Sequence, residues 1–238
     1  MEGIFMKKAA IFTTSLLSLA LVLGACSSNE SKGTDNGGKT TTSEKAKPVS
    51  KKSSSSSKEN KEVTNGQLLK VGQWMNDNTQ GKMELTKVQP INQTVSVDKY
   101  SIILKDFKMF KVTPSNANQK KLVGNIFGIA EGLPSPYYEI QIQYTIKNAS
   151  DQEVQFNGIK SIVTNDGKQL SGNGGLSDQG VGQSVAANAE STTTAVQGII
   201  DASQKDNLTK LTLNFDSFCT TSDFSDLGTI SPLELQIK

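Results

Sequence analysis

The chain contains no histidine and, although it carries 25 basic residues, no arginine; every one of the 25 is a lysine. The first absence removes the histidine general base, the Ser-His-Asp and Cys-His pairs, and any His-ligated zinc or iron centre. The second removes the bidentate guanidinium clamp for phosphate, carboxylate or guanine. Aromatic residues make up only 6% of the 238 residues, and cysteine occurs twice, as Cys26 and Cys219. A formal net charge of +2 gives no argument for a nucleic-acid partner.

What is present divides into three segments with different charge and composition. Residues 1–25 carry Lys7 and Lys8 against Glu2, a net +1. Residues 27–66 hold eight lysines against five acids, a net +3, and residues 67–238 hold fifteen against seventeen, a net −2. The first segment reads as a secretory signal, with Lys7 and Lys8 as its positive region and Ile11 to Leu23 as its apolar region. Thirteen helical residues at ~1.5 Å each reach roughly 20 Å, short of the ~30 Å hydrocarbon core. Cleavage after export is therefore expected rather than a permanent span. Met6, just ahead of Lys7, reads as the more natural start.

The signal ends in Leu23, Gly24, Ala25 and Cys26. This aliphatic-small-small-cysteine run resembles the lipobox of bacterial lipoproteins. The resemblance implies diacylglyceryl transfer to the Cys26 thiol and cleavage between Ala25 and Cys26. Two acyl chains at ~0.8 kcal/mol per buried methylene hold a protein at a membrane, where one chain does so only reversibly. The expected location is the extracytoplasmic face of the cell membrane. After Cys26, residues 27–66 contain no aromatic and only Ala46, Val49 and Val63 as apolar side chains. Such a stretch cannot bury enough surface to offset its ordering entropy, so 26–66 is expected to be a disordered tether. Forty such residues span about 35 Å on average and about 140 Å fully extended.

Residues 67–238 change character and show a period of two. Tyr138, Ile140, Ile142, Tyr144 and Ile146 alternate with Glu139, Gln141, Gln143, Thr145 and Lys147, which predicts a strand with one buried face and Glu139 toward solvent. Leu211 to Phe215 and Leu233 to Ile237 alternate in the same way. Tyr100, Ile102 and Leu104 begin another strand whose apolar phase then shifts through Ile103, Phe107 and Met109, which predicts a bulge. Weaker strands are expected at 83–88, 93–97, 153–163 and 191–200. Seven to nine short strands with almost no helix predict an all-β fold, an antiparallel immunoglobulin-like β-sandwich. With Cys26 lipidated, Cys219 has no partner for an inter-sheet disulfide and is expected to be a small buried residue near a strand end.

Two long connections interrupt the strands. In the first, Thr113 to Pro136, the residues Leu122, Ile126 and Ile129 stand at helical spacing beside Val123 and Phe127. Either a short amphipathic helix caps the core, or Leu122, Ile126 and Phe127 form an apolar patch for a partner. Trp74, the sole tryptophan, is the other candidate contact residue, or else packs at the domain edge. The second connection, Asn165 to Asn188, holds six glycines and no Gly-Lys-Ser/Thr ending, so a flexible surface loop is expected. Asp166, Asn173 and Asp178 lie in it, but their spacing matches no known calcium loop, and no metal or cofactor is expected.

These stretches together resemble the immunoglobulin-like, telokin-like domain of unknown function found in many lipoproteins of low-GC Gram-positive bacteria. The matching runs are Leu69 to Gly72, Tyr100 to Phe107, Tyr138 to Ser150 and Leu211 to Phe215, with Ile146, Asn148 and Ser150 in the strand-ending turn typical of it. The resemblance carries no catalytic residues over. The layout of lipid anchor, flexible tether and sandwich displays a surface, so a membrane-anchored binding or interaction module is expected, facing a cell-surface protein or a wall polymer. Two other readings exist. Paired carboxylates, Asp98 with Asp106 or Glu139 with Glu153, suffice in principle for glycan hydrolysis without histidine. The leader around Ser18 to Ala25 can also be read as a peptide pheromone precursor. Oligomeric state is not legible.

Overall fold

The computed structural model describes residues 61–129 and 133–238. The leader, the lipobox residues Leu23, Gly24, Ala25 and Cys26, and the tether up to residue 60 lie outside them. In chain order the strands are β1 (Trp74–Asp77), β2 (Gly81–Val97) and β3 (Tyr100–Thr113); helix α1 (Ala117–Ile126) comes next. Then come β4 (Tyr137–Asn148), β5 (Val154–Phe156), β6 (Ile159–Thr164), β7 (Gln169–Ser171), β8 (Leu176–Asp178), β9 (Gln183–Val185) and β10 (Ala189–Glu190). The chain ends with β11 (Thr194–Ile200), β12 (Lys210–Phe215), β13 (Ser217–Thr220), β14 (Asp226–Thr229) and β15 (Leu233–Gln236).

The expected all-β antiparallel sandwich is what this chain builds. One large sheet runs β1-β2-β3-β4-β11-β8, with β10 also pairing β4. Two four-stranded sheets, β15-β12-β6-β7 and β14-β13-β5-β9, face it. A single buried cluster joins all three: Ile102, Leu104, Ile140 and Ile142 from the large sheet, Ile162, Leu211 and Leu213 from the second, and Phe156 and Phe218 from the third. Phe218 stacks on Tyr100 with centroids 5.1 Å apart and lies 4.9 Å from Phe156, which meets Tyr144 edge-on. Such pairs add about 0.5–1.5 kcal/mol each beyond the area they bury.

The bulge expected in the strand from Tyr100 is present at Lys105, where the β3–β4 register jumps between Leu104 and Asp106. The extra residue returns Phe107 and Met109 to the face that Ile102 and Leu104 occupy, so all four join one core. The turn after β4 is closed by Asn148, which is buried. Its amide donates to the carbonyls of Gln152, Val185 and Ala186, and its Oδ1 accepts from the N–H and hydroxyl of Ser150. One side chain thus holds both the turn and the neighbouring β9 strand.

Four expectations need correction. The segment from Asn165 to Asn188 is no loose loop, because it supplies β7, β8 and β9. Asp178 organises it, accepting from Tyr144 Oη (2.7 Å), Ile159 N (2.6 Å) and Gly180 N (2.9 Å). Burial holds the Asp178 carboxyl above the usual range against those three donors. Gly180 is required there, since a Cβ would fall 1.9 Å from the Tyr144 hydroxyl oxygen. The weak run 153–163 is two strands, β5 and β6, broken at Gly158, which has φ 93°. Ordered pairing also begins upstream of 67: Val63 N donates to Trp74 O, Trp74 N donates to Lys61 O, and Glu62 bridges Trp74 in parallel.

The fourth correction concerns the far side of the large sheet. Alternation assigned it to water, yet a second buried cluster covers it. Leu85, Phe110, Val112, Tyr137 and Ile199 point outward from the sheet and meet Leu68, Val123, Phe127 and Leu133 from the covering segments. The cover consists of the stretch before β1 and helix α1 with the chain that follows it. Asn116 caps α1, its Oδ1 accepting from Gln119 N at 3.0 Å.

Candidate functional site

Helix α1 faces the sheet with Val123 and Phe127, both fully buried, one turn apart. Phe127, offered above as a partner contact, is therefore a core residue. The same rotation leaves Leu122 (47% exposed) and Ile126 (44%) on the outside. Trp74 is half-buried in edge strand β1, with the Lys82 ammonium 4.3 Å above its ring centroid. Cys219 lies buried in β13 as a free thiol, beside the Asn157 carboxamide.

Where the chain after α1 returns to β4, an open cleft of about 350 Å³ remains. Leu133, Pro134, Tyr137, Leu170 and Ile199 make its apolar wall, and the Lys168–Asp201 ion pair (2.6 Å) stands at its rim. A predominantly apolar cleft with a few polar groups at its mouth suits a small amphiphilic ligand. A second, smaller groove of about 180 Å³ opens between the stretch before β1 and the outer face of the sheet. Lys108 lies in its wall, only 2% exposed, with Nζ donating to Gln67 Oε1 at 3.0 Å.

Between the two openings sits Glu139. Tyr137, which lines the cleft, precedes it on the same face of β4, and Gln141, which lines the groove, follows it. Glu139 is fully buried, contrary to its expected solvent position. Its Oε1 accepts from Gln197 Nε2 at 2.8 Å, while Oε2 has no hydrogen-bond partner among the described residues. Burial pushes this carboxyl up to about 8; the Gln197 hydrogen bond and the nearby Gln80 amide oppose the rise, and the Asp77 charge adds to it. At neutral pH it is a neutral acid. The same burial, with the fields of Glu139 and Asp77, raises the Tyr137 phenol. A perturbed acid beside a cleft is a functional candidate, but a carboxyl sealed from solvent cannot reach a glycan.

Neither carboxylate pair considered above is brought together. Asp98 is exposed in the β2–β3 turn, and Asp106 lies eight residues further on, roughly 25 Å along a strand. Glu139 and Glu153 are similarly separated by most of β4 and its closing turn, with Glu153 exposed. Asp166 accepts from Thr164 and Gln204, and Asp178 is used as described. Among the described residues no group of three or more acids or cysteines could hold a metal ion. Sequence reasoning overlooked Gln80, Lys108 and Gln197. Their signal was the run Phe107, Met109, Phe110, Val112, which is apolar on both faces of β3 and implies a second layer.

No protein-family model matches the chain, and no curated protein does. Among solved structures it is similar to the crystal structure of a functionally unknown protein from Listeria monocytogenes EGD-e. That similarity has a TM-score of 0.43 and 10% identity, over 65% of this chain and 86% of the other.

Proposed function

We propose that this chain is a lipid-anchored, extracytoplasmic lipoprotein that presents its β-sandwich as a binding module at the cell surface. The observation that carries the reading is Leu23-Gly24-Ala25-Cys26, placed at the end of the thirteen largely apolar residues Ile11 to Leu23 and before forty largely polar ones. A thiol at that position is the nucleophile that thioether formation to a diacylglycerol requires, and the small residues before it suit a narrow peptidase site. Two acyl chains then anchor the protein, and the polar stretch lets the sandwich stand away from the bilayer. The binding face is the outer side of the large sheet, where the cleft beside Tyr137 and the exposed Leu122 and Ile126 lie. Its partner is a cell-surface protein or a wall polymer.

Intact-mass spectrometry of the protein from its native membrane, with and without Cys26→Ala, tests the anchor. A diacylglyceryl-modified chain starting at Cys26, lost in the variant, is the expected result. An unmodified wild-type protein recovered from the medium overturns both the anchor and the location.

A further inference from the structure

The residues that lead into β1 form a compact, outward-facing device of their own. Lys70 to Gln73 is a turn closed by Gln73 N donating to Lys70 O at 3.0 Å, with Gly72 at φ 84°. The Gln73 side chain closes it a second time, its Oε1 accepting from Leu69 N and Lys70 N at 2.8 Å each. Two backbone bonds fasten it to β2, from Gly72 N to Leu85 O and from Leu85 N to Gln73 O. Leu68, 3% exposed, roots it in the second buried cluster. On this rigid base Leu69 is 64% and Val71 58% exposed.

The surroundings of the two aliphatic side chains are aromatic and basic. Lys70 stands between them. The Lys61 side chain runs across Gly72, where a Cβ would lie 2.8 Å from its Nζ. Next comes half-buried Trp74 with Lys82 over its ring. Glu62 and Glu84 are the strand partners of Trp74, so three lysines face two acids, a local +1. Exposed aliphatic tips, an amphipathic indole and a small lysine excess are the composition of an interfacial contact. The turn also lies where the sixty preceding residues join the fold.

We propose that this turn, Leu69 to Gln73 with Trp74, seats the module on the surface of an anionic lipid bilayer. The inference rests on the anchored reading for its strength. Thirty-four residues lie between Cys26 and Lys61; as the flexible tether of that reading they span about 32 Å on average. An anchor at that distance makes docking intramolecular, so a contact too weak to hold a free protein is occupied when tethered. The module then alternates between a seated state, with the turn in the headgroup layer, and a raised state on its tether.

The test uses the chain from residue 27 onward, without leader or acyl groups, and vesicles of phosphatidylglycerol with phosphatidylcholine or of phosphatidylcholine alone. Co-sedimentation is expected with the anionic vesicles, together with a blue shift of the single tryptophan's emission. Leu69→Asn/Val71→Asn should weaken vesicle binding at least tenfold and abolish the shift, while Val181→Asn, at a comparably exposed aliphatic residue between β8 and β9, leaves both unchanged. Should the double variant lower the urea midpoint, Val71→Asn alone serves the same comparison. Absence of wild-type binding overturns the proposal, as does equal binding by the turn variant or an equal loss in Val181→Asn. The mass measurement on Cys26 is independent, so a failed anchor and a failed turn give different results.

Discussion

Glu139 makes the stability of this domain depend on pH in an unusual direction. An ordinary glutamate titrates at 4.5, and burial moves this one to about 8. Between those values the folded protein keeps a proton that the unfolded chain releases. Stability from this group is therefore fully present below pH 4.5, falls by about 1.4 kcal/mol per pH unit above it, and levels off beyond pH 8. The whole window corresponds to about 5 kcal/mol, and the step from pH 5.5 to 7.5 to about 3 kcal/mol. Glu139→Gln keeps the shape and the Gln197 hydrogen bond but cannot titrate. It should cost about 1 kcal/mol at pH 4.5, cross the wild type near pH 5–6, and be the more stable protein at pH 7.5. The assay is urea unfolding followed by Trp74 emission at half-unit pH steps. Asp106 and Asp178, whose carboxyls burial also raises, titrate in both proteins and cancel in the difference. Parallel wild-type and variant curves from pH 4.5 to 8 would refute the reasoning.

Two other outcomes follow from packing and hydrogen bonding. Phe127→Ala should lower the unfolding free energy by about 3–5 kcal/mol, whereas Ile126→Asn, one residue away on the exposed side of α1, should stay within about 0.5 kcal/mol; equal effects in denaturant titrations would mean that the helix is rotated. Asp178→Ala should cost about 2–4 kcal/mol, because it strands the Tyr144 hydroxyl and the amides of Ile159 and Gly180 together. Hydrogen exchange at Gly180 should rise in that variant before the rest of the sheet is affected, and unchanged protection there would contradict the role given to this carboxylate.

The main core was legible because period-two alternation reports it directly. Ile140, Ile142, Tyr144 and Ile146 sit where the pattern puts them, and even the bulge at Lys105 shows as a slip of phase. The second layer was not legible from β4 alone. Alternation says which side Glu139 faces; it does not say whether something later covers that side. The cover comes from Leu68, some seventy residues earlier, and from α1. Of the two readings of 113–136 the capping helix is the one that forms, but which of its residues turn inward was not legible, for a related reason. Leu122, Val123, Ile126, Phe127 and Ile129 spread over a wide arc, so several rotations satisfy helical spacing, and only the sheet decides that Val123 and Phe127 turn inward. The glycines between Asn165 and Asn188 suggested looseness, whereas Gly180 is small because the Tyr144 hydroxyl needs its space. Leu69 to Gly72 stood out only as a matching run; that it forms a stiff turn was not legible, because the stiffness comes from the single Gln73 side chain. The cleft beside Tyr137 is assembled from four separate parts of the chain, and no local pattern announces it.

The way the chain enters the fold has a mechanical consequence. Tension pulling on the residues ahead of Lys61 first loads the backbone bonds Trp74 N to Lys61 O and Val63 N to Trp74 O. Beyond them lie the Leu68 side chain and the short β1–β2 hairpin, which opens rung by rung. The strands at the centre, β3 and β4, are paired at twelve positions and lie outside that line of force. A pull there loads the part of the cover that Leu68 roots, while Val123 and Phe127 keep α1 seated on the rest of the outer face. The sandwich beneath it stays closed, so the fold yields first at the end where the preceding chain enters it.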